Sequence, residues 1–132
     1  MTPEEVFRAA NVAWNERGID GFLEHAAQDL VWHAQPEYLE GQEWHGRDAI
    51  SHAWKKQFDS VFENVHTEFE SYEAGPGGHM TTVLGHVRAR GSGMDIEVHS
   101  YFVVTVDGDL ITEVWVFDHE AEARRQAGLD AE

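Results

Sequence analysis

The chain has 132 residues, no cysteine, and 25 acidic against 9 basic side chains, which gives a formal net charge of −16. This length predicts a single domain, residues 1–132, with one hydrophobic core. Without cysteine, disulfides and thiolate chemistry are excluded. A surface with this much negative charge repels phosphate backbones and anionic lipid heads. We therefore expect neither nucleic acid nor a membrane as partner. The chain lacks a membrane-spanning apolar run and a secretory signal pattern, which makes the cytoplasm the expected location.

The first half of the chain predicts three helices. The first is the best marked, because Thr2 can cap a helix in which Pro3 fits the first turn. Apolar residues then recur at helical spacing as far as Trp14. The three helices are predicted from Thr2 to Arg17, around residues 22–26, and from Ala49 to about Phe62.

The second half predicts a run of antiparallel strands. Glycine-rich turns at residues 75–78 and 91–93, and the dipeptide Asp107-Gly108, separate long segments of β-forming residues. The predicted extended segments are residues 30–34, 43–45, 65–73, 80–90, 95–106 and 110–117, and a short helix over 120–128 closes the chain. Helices first and a meander afterwards indicate an α+β fold with a mostly antiparallel sheet.

The turn between the second and third long strands predicts which side chains face inward. If Ser92 and Gly93 are the two turn residues, Arg88 lies opposite Glu97 and both point outward. A slip by one residue would lose both the charge pairs and the apolar pairs. The register predicts that the inward-facing residues of the third strand are Ile96, Val98, Ser100, Phe102 and Val104.

The last turn leaves two alternatives for the final strand. If Asp107 and Gly108 are the turn residues, Glu113 lies opposite Phe102 on the concave face, and Trp115 and Phe117 face the same way. If the turn holds a bulge, the parity flips. Val114 and Val116 would then face inward, and Glu113 would be a solvated residue.

Six stretches, taken in order, resemble a known family. They are Ala13-Trp14-Asn15 with Gly18-Ile19-Asp20-Gly21, Asp29-Leu30-Val31-Trp32, residues 44–50 (WHGRDAI), residues 88–93 (RARGSG), residues 107–111 (DGDLI) and residues 117–121 (FDHEA) with Ala127-Gly128-Leu129. Together they resemble a SnoaL-like protein of the nuclear transport factor 2-like superfamily, which includes the ketosteroid isomerases. The resemblance implies a cone-shaped curved antiparallel sheet, a cystatin-like α+β barrel, with the N-terminal helices packed in its opening. It also implies dimerisation through the sheet.

The resemblance does not carry isomerase chemistry with it. The positions that correspond to the isomerases' general-base aspartate, oxyanion tyrosine and protonated acid are occupied by Ala34, Ala10 and Ser100. SnoaL-type cyclases need chiefly one acid in the pocket to move a proton. Glu113 is the candidate general acid or base, because aromatic walls would desolvate its carboxylate and favour its neutral form.

The tryptophans and their neighbours predict a pocket for a small, largely apolar molecule. Core residues near the opening of a cone are also its pocket wall. The predicted pocket residues are Trp14, Trp32, Ala34, Trp54, Phe58, Ser100, Phe102, Trp115 and Phe117. His33 should point away from the pocket, opposite Trp32. No spacing of histidines and carboxylates indicates a metal site, and no cofactor is expected.

Three functions fit this sequence. The first is cofactor-free proton transfer, of the isomerase or cyclase type, on an apolar substrate. The second is ligand binding in the same pocket without chemistry, and the third is a dimerisation module whose pocket is vestigial. A homodimer is expected, because an outer patch of Leu84, Tyr101 and Val114 would expose apolar surface on an acidic protein.

Overall fold

The computed structural model describes residues 1–39 and 41–129, and within them the chain forms four α-helices and six β-strands. The helices are α1 (Pro3–Arg17), α2 (Ile19–Leu23), α3 (Arg47–Trp54) and α4 (Glu120–Ala127). The strands are β1 (Ala26–Ala34), β2 (Gln42–His45), β3 (Phe62–Gly75), β4 (Gly78–Ala89), β5 (Asp95–Asp107) and β6 (Leu110–Phe117).

The strands form one curved, open sheet in the order β2-β1-β6-β5-β4-β3. Strands β1 and β6 run parallel, and the other neighbours are antiparallel. Helices α1 to α3 pack on the concave face, so the predicted α+β cone with helices in its opening is confirmed. In the part of the chain that the structure describes, no helix has both the length and the apolar character needed to cross a membrane.

Helix α1 begins where the sequence predicts, and for the predicted reason. The Glu5 backbone N–H donates to Thr2 Oγ1 at 3.2 Å, and the Thr2 backbone N–H donates to Glu5 Oε1 at 2.8 Å. These two bonds satisfy donors that the first turn of a helix otherwise leaves unpaired. The helix buries the apolar stripe Val6, Phe7, Ala10, Ala13 and Trp14 against the sheet.

Side chains of α1 also cover the long edge strand β3. The Thr67 backbone N–H donates to Asn15 Oδ1 at 2.8 Å, and Asn15 Nδ2 donates to the Thr67 carbonyl at the same distance. The Asn15 amide therefore takes the place of a neighbouring strand at this point of the edge. Thr67 Oγ1 donates to Asn11 Oδ1 at 2.6 Å, which fixes the same contact a turn earlier on the helix.

The two sides of the sheet carry separate apolar clusters. The larger cluster fills the concave side between the sheet and helices α1 to α3, with Phe7, Phe22, Leu30 and Ile50 among its fully buried members. The smaller cluster lies on the convex side, where α4 covers strands β4, β5 and β6. Its buried members are Met80, Val103, Phe117, Ala123 and Ala127.

The register of the β4–β5 hairpin differs from the expected one by two residues. Asp95 pairs with Arg88, not with Arg90, and Phe102 pairs with Thr81. Gly91 and Gly93 both adopt positive φ, at 89° and 70°, so the connection is longer than a two-residue turn. An even shift keeps each side chain on its expected face, and Ser100, Phe102 and Val104 do face inward.

The β5–β6 hairpin contains the bulge that the sequence left open. Asp107 pairs with Leu110, so the turn residues are Gly108 and Asp109, not Asp107 and Gly108. The pairing then slips between Val106 opposite Ile111 and Thr105 opposite Glu113. Ile111 and Val114 are both fully buried in the concave cluster. In a regular strand, residues three positions apart point to opposite faces, so the bulge is what places both side chains on the same face.

The bulge reverses the face of every later residue of β6. Val114 and Val116 lie on the concave side, whereas Glu113, Trp115 and Phe117 lie on the convex side. The expectation that Glu113 faces the pocket among aromatic rings was therefore wrong. The expectation that Val114 belongs to an outer apolar patch was also wrong, because this residue is in the core.

The third predicted helix is shorter than expected and changes its pitch. Helix α3 ends at Trp54, and the chain continues as a π-helical segment over Lys55–Asp59. Strand β3 then begins at Phe62, inside the range predicted as helix. Widened helical turns of this kind are frequent at functional sites.

Candidate ligand site

A cavity of about 530 Å³ lies between the concave face of the sheet, α1, α3 and the π-helical segment. Its volume is within the range of pockets that bind small molecules. Seven aromatic side chains contribute to its wall: Trp14, Trp32, Trp44, Trp54, Phe58, Phe62 and Phe102. Helix α1 supplies Trp14, the turn from α3 into the π-helical segment supplies Trp54 and Phe58, and the strands supply the rest.

Ring-to-ring contacts fix this aromatic wall. Trp54 meets Trp14 edge to face at 5.0 Å between centroids, and Phe58 stacks on Trp54 at the same distance. On the opposite wall Trp32 meets Phe102 edge to face at 6.1 Å. Such pairs favour defined orientations, so the wall is shaped before any ligand enters.

Polar groups gather at the end of the cavity where β1 and β6 finish. Gln35, Gln42, Gln57 and Asp118 line it there, and Gln57 Nε2 donates to Gln42 Oε1 at 2.5 Å. Trp44 Nε1 donates to the same Gln42 oxygen at 3.1 Å. The cavity therefore has apolar walls and a polar rim, the usual arrangement of a small-molecule site.

Asp118 is held at this rim from two sides. Gln35 Nε2 donates to Asp118 Oδ2 at 2.8 Å, and Gln35 has an unusual positive φ of 50°. The Asp118 backbone N–H donates to Glu37 Oε2 at 2.8 Å. A non-glycine residue with positive φ costs free energy, and such residues cluster at functional sites.

Three tryptophans of the wall leave their indole N–H groups without an acceptor in the part of the chain that the structure describes. Within residues 1–39 and 41–129, the N–H groups of Trp14, Trp32 and Trp54 donate to no protein atom. An indole N–H in an apolar wall normally finds an acceptor. Water, or a neutral acceptor atom of a ligand, can satisfy them.

The structure brings most of the predicted pocket residues together. Seven of the nine lie on the cavity wall: Trp14, Trp32, Ala34, Trp54, Phe58, Ser100 and Phe102. Trp115 and Phe117 do not, because the bulge in β6 turns them to the convex side. That the seven bind a ligand stays a prediction.

Glu113 takes part in an ion-pair chain on the convex face. Its Oε2 lies 2.6 Å from His33 Nε2, and His33 Nδ1 lies 3.1 Å from Glu43 Oε1. The His33 ring also stacks on Trp115 at 5.1 Å. His33 points away from the cavity, as alternation along β1 predicts, and it takes Glu113 as its partner there.

A model of the SnoaL-like domain family matches residues 6–114. The chain belongs to the SnoaL-like family. The match covers most of the described strands and the whole aromatic wall, which lies between Trp14 and Phe102. A comparison with curated proteins gives no match.

Solved structures with the same fold include two that were obtained with small molecules. A protein with a ketosteroid isomerase-like fold from Catenulispora acidiphila DSM 44928, in complex with trimethylamine, has a TM-score of 0.72 and 22% identity, covering 99% of this chain and 97% of that one. TerC, co-crystallised with polyporic acid, has a TM-score of 0.73 and 13% identity over 95% of this chain and 97% of its own. A protein from Jannaschia sp. CCS1, described as a SnoaL-like polyketide cyclase, has a TM-score of 0.68 and 14% identity over 98% and 92%. At these identities the similarity shows the fold alone.

The SnoaL-like cavity lacks the isomerase residues at the positions that the resemblance assigns to them. Ala34 and Ser100 line the cavity, and Ala10 is fully buried in the concave core. The acid that the structure does place at the cavity is Asp118, which the sequence did not single out. Asp118 directly follows β6, and the inward-facing residues of β6 can be assigned only when the position of its bulge is known. The signal that could have pointed to Asp118 is its place in the family-like stretch 117–121.

Proposed function

We propose that this SnoaL-like protein binds a small, largely apolar molecule in the aromatic cavity. The observation that carries the proposal is a preformed cavity of about 530 Å³ with seven aromatic side chains in its wall. Transfer of an apolar molecule from water to such a wall is favourable, and contacts with the aromatic rings add to it. The trimethylamine and polyporic acid complexes of two proteins with this fold support a small molecule as the partner.

The direct test is to look for the ligand and for its effect on the wall. Native mass spectrometry of protein purified under mild conditions should detect a co-purified small molecule. The same molecule, added back to stripped protein, should change tryptophan fluorescence, because four of the five tryptophans line the cavity. Trp115→Phe is the matched control, since Trp115 lies on the convex face. A fluorescence response lost in Trp115→Phe would place binding elsewhere.

Proton transfer by Asp118 is the second candidate function. Among the described residues that line the cavity, Asp118 supplies the lone carboxylate. Its Oδ1 atom has no partner in residues 1–39 and 41–129. A carboxylate at the rim of an apolar cavity can remove a proton from a bound carbon acid. This assigns to Asp118 the role that the sequence predicted for Glu113.

The probe for this second function is 5-nitrobenzisoxazole, a flat carbon acid. A carboxylate removes its ring proton while the N–O bond breaks, which yields a coloured nitrophenolate without any cofactor. Asp118→Asn should lower the rate by about 100-fold, whereas Asp107→Asn, the same change at the end of β5 beside the β5–β6 turn, should leave it unaltered. Equal rates in the two variants would refute the catalytic role.

We also propose a homodimer, formed through the convex face of the sheet. Leu84 and Tyr101 are only partly buried on that face, near His86 and His99. Sedimentation velocity at micromolar concentration should show a dimer, and a monomer there would contradict the proposal. Its location in the cytoplasm stays a prediction.

A further inference from the structure

We propose that the ligand of the aromatic cavity carries a positive charge, as a protonated amine or a quaternary ammonium group. The inference rests on the binding function proposed above and names the chemical class of its ligand. Three features of the described residues lead to it: the faces of the aromatic rings, the charges on the cavity lining and the charges around the rim.

The aromatic wall favours a cation over an anion. The face of an indole or phenyl ring is electron-rich and attracts an ammonium group, most strongly where water is excluded. Trp14, Trp54 and Phe58 form a continuous set of rings, with centroids 5.0 Å apart at each contact. A carboxylate or phosphate among these rings would lose its hydration and gain at most neutral N–H donors, with no cation in return.

Among the described residues, the lining contains one carboxylate, that of Asp118, and no cationic side chain to balance it. Within residues 1–39 and 41–129, neither lysine nor arginine lines the cavity. His99 contributes to the lining, but its ring stacks on Tyr101 and its Nε2 lies 3.1 Å from Glu70 Oε1, on the other face of the sheet. Asp118 forms no ion pair with any described residue, and its recorded side-chain partner is the neutral Gln35 amide.

A second acidic side chain, that of Glu37, lies directly behind the rim. The side chain of Glu37 is only 5% exposed, and its Oε1 atom is buried without a partner among the described residues. His119 Nδ1, at 3.5 Å from Glu37 Oε2, is the nearest balancing group. Partial burial, together with the charges of Asp118 and Glu37, raises the pKa of Tyr38. The rim therefore presents negative potential to an entering molecule, and the net charge of −16 extends it.

Three molecules of one shape test this inference. They are 4-tert-butylbenzylamine, 4-tert-butylbenzyl alcohol and 4-tert-butylbenzoate, which at pH 7 are a cation, a neutral molecule and an anion with the same apolar body. Isothermal titration calorimetry at low salt should show the amine binding about tenfold more tightly than the alcohol, and the benzoate weakest.

Two substitutions that each remove one negative charge identify the source of the preference for the amine. Asp118→Asn should weaken the amine about tenfold and leave the alcohol unchanged. Asp107→Asn removes the same charge at the end of β5, beside the β5–β6 turn, and should leave the ranking as it is. Trp54→Leu should weaken the amine more than the alcohol, because it removes a ring face as well as apolar area.

Each outcome of the titrations decides one of the two proposals. Amine and alcohol of equal affinity, or a benzoate that binds best, would overturn the cationic ligand and leave the binding function standing. If each of the three molecules binds Asp118→Asn as tightly as it binds the unmodified protein, the role of Asp118 is overturned. Binding of none would instead count against the binding function itself.

Discussion

Phe22→Ala is expected to lower the free energy of unfolding by about 4 kcal/mol. Phe22 is 2% exposed and stands where α2 meets the sheet. Its ring contacts four others, with centroids 5.6 to 6.4 Å away: Phe7, Trp14, Trp32 and Phe102. Truncation removes these contacts and leaves a void that the surrounding rings cannot fill.

Urea unfolding measures this loss as a shift of the midpoint at constant slope. Phe22→Leu, which keeps most of the volume, should lose about half as much. Val12→Ala is the matched control on the exposed side of α1, where Val12 is 57% exposed, and should change the stability by less than about 0.5 kcal/mol. A loss below about 1 kcal/mol for Phe22→Ala would mean that these rings do not form one packed unit.

Ser100→Phe is expected to reduce ligand affinity by at least about 100-fold while the fold is kept. Ser100 lies on the cavity wall in the middle of β5, so a phenyl ring there projects into the space that a ligand would occupy. The ring enters an existing cavity and displaces no packed side chain, so it should cost little stability. Calorimetry with 4-tert-butylbenzylamine gives the affinity, and urea unfolding checks the fold.

His99→Phe is the matched control for this variant. It places the same ring one residue away on the same strand, where the native His99 ring points to Tyr101 on the convex face. Its affinity for the amine should stay within about twofold of the unmodified protein. Full affinity in Ser100→Phe would locate the ligand outside the cavity.

Patterns that depend on local geometry could be predicted from the sequence. Thr2 and Pro3 begin a helix wherever they stand before an amphipathic run, so the start of α1 was predicted correctly. Strand β5 kept its predicted inward face although its register was off by two residues, because an even shift leaves alternation unchanged. Ser100 and Phe102 were therefore found as cavity residues from sequence alone.

The faces of the residues in β6 could not be predicted, because the bulge in this strand is determined by the packing of the whole core. Asp107-Gly108 favours a two-residue turn by local chemistry, yet both Ile111 and Val114 must be buried. A short turn and the burial of both side chains are compatible only if β6 contains one extra residue as a bulge. This bulge turns Trp115 and Phe117 away from the predicted pocket. Asp118 follows that strand, so its place at the rim depended on the same bulge.

The contact between Asn15 and Thr67 also bears on how copies of this protein behave at high concentration. An open sheet has two free edges, and a strand of fourteen residues such as β3 is a template on which strands of other copies could add. At the other edge β2 is only four residues long and carries Glu43, which makes it a poor template. Resistance to aggregation at the β3 edge thus depends in part on a neutral amide in a helix, and the protein's large negative charge protects the rest by repulsion.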